Sequence, residues 1–74
     1  MFMDAYIEDK LKLILQGELK YTSDNFAFNM LIKKLQRKID DDPGNIGSCL
    51  EEIDVFAEKY NKIVAADFAR IAVL

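Results

Sequence analysis

Apolar residues recur every three or four positions along most of this chain, and no stretch sustains the strict alternation that a strand would show. The first periodic segment covers residues 4–19. Placed at about 100° per residue, Met3, Ile7, Leu11, Ile14 and Leu15 fall on one face. Asp4 stands where a capping oxygen is wanted, and Glu8 and Lys12 have the favourable i,i+4 order. Gly17 weakens the last turn, with Lys20, Tyr21 and Thr22 as the expected exit.

A second helix is predicted from Thr22 or Ser23, either of which could cap it, with Phe28, Leu31, Ile32, Leu35 and Ile39 at helical spacing. Its last turns carry Lys33, Lys34, Arg37 and Lys38, where cations suit the negative end of the helix dipole. Asp41, Asp42, Pro43 and Gly44 then mark a turn, because proline presets φ and glycine accepts the left-handed region.

The third segment reads as starting at Ser48, with Glu51 completing a capping box and Asn45 as the competing cap. From Leu50 through Ile53, Phe56, Ala57, Tyr60, Val64, Phe68 and Ile71 one apolar face runs on without a phase break, and no glycine or proline follows Gly47. A single helix of about 25 residues, roughly 38 Å long, is the simplest expectation. A break near Asn61, giving four helices, is the alternative. The predicted fold is therefore all-α, one domain over residues 1–74, a small antiparallel bundle of three helices with a long last one.

Each helix also carries apolar residues on a second face: Phe2, Tyr6 and Leu13 on the first, Phe26 and Met30 on the second, and Val55, Ala66, Ala69 and Val73 on the third. A chain of 74 residues cannot bury three helices on all sides. One surplus face is expected to meet another molecule. The C-terminal stretch is the favoured contact, because ten of residues 63–74 are apolar and Ala65, Ala69 and Ala72 would let another backbone come close. The expected interface is Phe26, Met30, Ala65, Ala69, Ala72, Val73 and Leu74, with Lys33, Arg37 and Asp67 as polar contacts. Asp67 lies inside the apolar stripe, so it needs a partner such as Arg70 at i+3, or exposure near the helix end.

Composition narrows the chemistry. Half the residues (51%) are hydrophobic, which excludes intrinsic disorder. There is no histidine and a single cysteine, so one chain can build neither a disulfide, nor a Cys/His zinc site, nor a histidine-assisted nucleophile. Cys49 reads as a small buried hydrophobe. Carboxylates, lysines and three tyrosines are too little to suggest an enzyme, and no cofactor is expected. The acidic residues 1–9 do not read as a signal or transit peptide, and the most apolar window is far shorter than the roughly 20 residues of a membrane span. A cytoplasmic location with no membrane partner is expected.

Charge is unevenly spread. Residues 21–38 carry +3 and residues 39–54 carry −6, within a net −3. The basic residues 33–38 are the one stretch that could meet phosphates, but the acidic block beside them and a sequence pI near 4.8 oppose it. The acidic run from Asp40 to Glu51 has the length of a calcium loop, but Asn45 stands where glycine is needed and Pro43 interrupts the ligands. The function expected is a small non-enzymatic interaction module, self-associating as a homodimer and regulating or inhibiting a larger partner protein. The alternative is a nucleic-acid-associated regulator using the basic end of the second helix.

Overall fold

Asp4 caps the first helix, α1 (Ala5–Leu15), its carboxylate accepting from the Ile7 amide at 2.9 Å. The computed structural model describes residues 4–74, so Phe2 and Met3, expected on this helix, lie outside the described residues. The helix closes four residues earlier than its periodicity suggests. Gly17 takes φ +80°, its amide bonds the Ile14 carbonyl (3.1 Å), and the Glu18 amide bonds the Leu13 carbonyl (2.9 Å). That pair of bonds is a Schellman closure, in which the left-handed residue satisfies carbonyls that the helix leaves open. Gly17 is thus the terminator of α1, ahead of the exit expected at residues 20–22.

The second helix, α2 (Phe26–Asp41), is capped by Asn25, which accepts from the Phe28 amide at 3.1 Å. Neither Thr22 nor Ser23 is the cap. The Ser23 hydroxyl instead accepts from the Asn25 amide, shaping the turn that presents Asn25. A 3-10 turn, Pro43–Asn45, follows, with the Asp42 carboxylate accepting from the Gly44 amide. The third helix, α3 (Ile46–Lys59), starts directly from that turn. The expected Ser48–Glu51 capping box is not formed, because Ser48 is already inside the first turn and its hydroxyl donates to the Asn45 carbonyl at 3.0 Å. Asn45 holds the entry from the other side, donating its amide to the Lys38 carbonyl.

The long third helix is also corrected: it breaks at Tyr60, and α4 (Asn61–Ala72) follows. Tyr60 leaves the helical region at φ −128°, ψ 50°, its amide bonding Phe56 and its carbonyl accepting from Ile63 and Val64. A continuous helix over residues 46–72 would be about 40 Å long. The molecule's greatest extent is 30 Å, so its far end would overhang the other helices. Breaking it forfeits a backbone bond or two, each worth about 1 kcal/mol net. It returns Val64, Phe68 and Ile71 to the core, each burial worth about 1.5–3 kcal/mol. Burial wins.

The described residues form four helices and no strand, so the fold is all-α. The core draws Leu11, Ile14 and Leu15 from α1, Phe28, Ile32, Leu35 and Ile39 from α2, Cys49, Leu50, Ile53 and Ala57 from α3, and Val64, Phe68 and Ile71 from α4. α1 and α3 each pack on the other three helices, with α2 and α4 flanking them. No described helix is long and apolar enough to cross a membrane.

Candidate interaction surfaces

Because Phe28, Ile32, Leu35 and Ile39 turn α2 inward, the opposite side of that helix is committed to solvent. It presents Phe26, Met30, Lys33 and Arg37, all exposed, with Phe26 at 79% and Met30 at 50%. These four of the expected contact residues therefore share one face. The remaining cations of α2 are used within the chain: Glu52 on α3 takes Lys34 at 3.1 Å and Lys38 at 2.9 Å. The hydrogen bond from Lys38 does most to hold the Glu52 carboxyl below the usual carboxylate range, with Lys34 adding to it and desolvation opposing. The basic run is divided: Lys34 and Lys38 are paired, whereas among the described residues Lys33 and Arg37 are in no ion pair.

On α4 the buried positions Val64, Asp67, Phe68 and Ile71 leave an outward side of small residues. Ala65, Ala66 and Ala69 are exposed and Val73 is 83% exposed, with Leu74 exposed beyond them. Ala72 is half-buried, at the edge of this face. Lys10 of α1 donates to the Ala72 and Leu74 carbonyls, satisfying the open end of α4 and tying its last turn to α1. Beside the alanine face a groove of about 490 Å³ runs between Ile7, Ala57, Val64, Ala65 and Phe68, with Lys62 at its rim.

Asp67 belongs to neither surface. At 2% exposure it is buried, accepting a hydrogen bond from the Tyr21 hydroxyl and lying 3.8 Å from the Arg70 guanidinium. Arg70 reaches on to Asp24 at 3.1 Å. The i+3 pairing is present, and the carboxylate expected as an intermolecular contact is occupied inside its own chain. Burial first, then the bond to Asp67, push the Tyr21 phenol well above its ordinary range. Tyr21 carried no signal in the sequence beyond its place in an exit turn, because its partner lies 46 residues away.

Cys49 is fully buried, its thiol directed at the Leu35 carbonyl, and burial raises its pKa. A thiol held protonated in a core is a weak nucleophile. A further cleft between α2 and α3, about 710 Å³, is lined by Leu31, Val55, Phe56 and Tyr60 with Glu51 and Lys59 at its edge. Of its aromatic lining, Phe56 lies 4.8 Å from Tyr60 and, on its inner side, 5.5 Å from the buried Phe28 ring. Among the described residues no group of three histidines, cysteines or carboxylates could hold a metal ion.

Compared with protein-family models, curated proteins and solved structures, the chain matches none.

Proposed function

We propose that the protein is a non-enzymatic interaction module that self-associates through the outward face of α4 and regulates or inhibits a larger partner protein. The observation that carries this reading is the exposed run of Ala65, Ala66, Ala69 and Val73. Side chains this small set the closest approach between two helices, toward the lower end of the usual 8–10 Å separation. A single core of this size rarely supplies more than about 3–5 kcal/mol, so burial between copies is a natural supplement. A regulator must also keep a second face open for its target, and the outward side of α2 supports that part of the reading. The nucleic-acid alternative loses Lys34 and Lys38 to Glu52.

Sedimentation over a hundredfold concentration range is the test. The wild type is expected to pass from monomer to dimer, and its melting temperature to rise with concentration. Ala69→Glu, at an exposed position, should leave helix content unchanged and give a monomer. A wild type that stays monomeric throughout, with a concentration-independent melting temperature, overturns the self-association.

A further inference from the structure

Phe26, Met30, Lys33 and Arg37 are spaced by four, three and four residues, which places them within about 60° of arc on a helix. The four span about 17 Å along α2. This is the spacing of a helix–helix seam, in which residues three and four apart line up toward a neighbouring helix. Among the described residues no other element covers it, since α2 meets α1 and α3 through its inner and flanking sides. The stripe is polarised: apolar at its N-terminal half, cationic through Lys33 and Arg37, then anionic at exposed Asp40 and Asp41 one turn further on.

That polarity selects the occupant. A second copy docked parallel through the same face would lay Lys33 and Arg37 against their own counterparts. Docked antiparallel with the two stripes in full overlap, it would lay Phe26 against Asp40 and set the two Lys33 side chains opposite each other. Neither arrangement is self-complementary, and like charges placed directly opposite are repelled. A phosphate backbone fits no better, because it matches only Lys33 and Arg37, two of the four positions. It would also give Phe26 and Met30 nothing to bury against. A helix with apolar residues for Phe26 and Met30 and carboxylates for Lys33 and Arg37 satisfies all four positions. Acidic residues are favourable in the first turns of a helix, so the complementary helix runs antiparallel, its acidic start beside Arg37.

We infer that the outward stripe of α2 is a docking site for an acidic amphipathic helix of another protein. The inference deepens the interaction-module reading, on which it rests, while using a face that self-association through α4 leaves open.

The test is a titration of the full, isotope-labelled chain with a synthetic amphipathic peptide of about 18 residues. Its leucines follow the four-three-four spacing and glutamates flank them. A second peptide replaces every glutamate with lysine, and a mixed-sequence DNA duplex is the third probe. The acidic peptide is expected to shift the amide resonances of Phe26, Met30, Lys33 and Arg37, and the lysine peptide to leave them unmoved. The double variant Lys33→Glu with Arg37→Glu, both at exposed positions, should weaken the acidic peptide by about tenfold or more and bind the lysine peptide instead. No shift with either peptide at millimolar concentration overturns the inference, as does equal affinity for the two peptides or preferential binding of the duplex. Sedimentation of the protein alone separates the two readings. A monomer that binds the acidic peptide loses only the α4 contact, and a dimer that ignores the peptide loses only the α2 site.

Discussion

The Tyr21 hydroxyl donates to the Asp67 carboxylate, joining the segment that leads into α2 to the buried side of α4 across 46 residues of sequence. Asp67 is the one acidic side chain in the described core, and Tyr21 is what makes its burial tolerable beside the more distant Arg70. Removing one partner of a buried polar pair costs more than the pair contributes, because the survivor keeps its desolvation penalty. Tyr21→Phe should therefore destabilise the fold by about 1–3 kcal/mol, read from denaturant unfolding. Adding Asp67→Leu should recover part of that loss. A Tyr21→Phe protein that unfolds like the wild type would show that the bond carries no stability.

The same pair sets an alkaline limit. The native state holds the Tyr21 proton above the ordinary phenol value of 10.0, whereas the unfolded chain releases it there. The unfolded state then binds fewer protons, so stability falls as pH rises past about 10 and is fully present below that value. Tyr21→Phe should flatten the decline above about pH 10. In a spectroscopic titration, the Tyr21 step, displaced to high pH, should vanish in that variant.

Much of the architecture was legible because it is local. The Asp4 cap, the inward stripes of α1 and α2, and the turn at Pro43 each depend on residues within one or two helical turns. The outward residues of α2 and α4 were legible for the same reason, since a second apolar face is a property of one helix. What escaped depends on tertiary geometry. Tyr60 breaks the last helix with neither proline nor glycine, because the apolar phase that α4 needs for the core is the one a straight helix would also show. Glu52 chose Lys34 and Lys38 over Lys33 and Arg37 through the way α3 lies along α2, which no spacing in the sequence encodes.

Glu52 offers an acid-side counterpart. Its carboxyl is held low mainly by Lys38, so the native state stays ionised where the unfolded chain takes up a proton. That stability is present above the ordinary value of 4.5 and is lost as pH falls below it. All three side chains are partly exposed, which limits the contribution to under about 1 kcal/mol. Glu52→Gln should lower stability slightly at neutral pH and by less at about pH 3. Equal loss at both pH values would mean the charge pairs are not the cause.

Two glycines should respond in opposite directions to alanine. Gly17 has open space where a Cβ would stand but sits at φ +80°, so Gly17→Ala should cost about 1 kcal/mol through backbone strain alone. Gly47 lies in the first turn of α3 with nothing near its Cβ and ordinary helical geometry, so Gly47→Ala should stabilise by about 0.5–1 kcal/mol. Thermal melts of the two variants check the Schellman closure directly. If Gly17→Ala is neutral, the left-handed residue is not what ends α1.

The break at Tyr60 makes proline a sharp probe of the last two helices. Asn61 is the first residue of α4, and the backbone bonds around the break are donated by Tyr60, Ile63 and Val64 rather than by Asn61. Proline is tolerated at a first helical position, where its missing amide has no intrahelical partner. Asn61→Pro should therefore cost less than about 1 kcal/mol. Val55→Pro, at an exposed position in the middle of α3, removes an interior bond, clashes with the preceding turn and should cost about 3 kcal/mol or more. Were helix formation continuous through Asn61, the two variants would be comparably destabilised, so the gap between their unfolding midpoints measures the break itself.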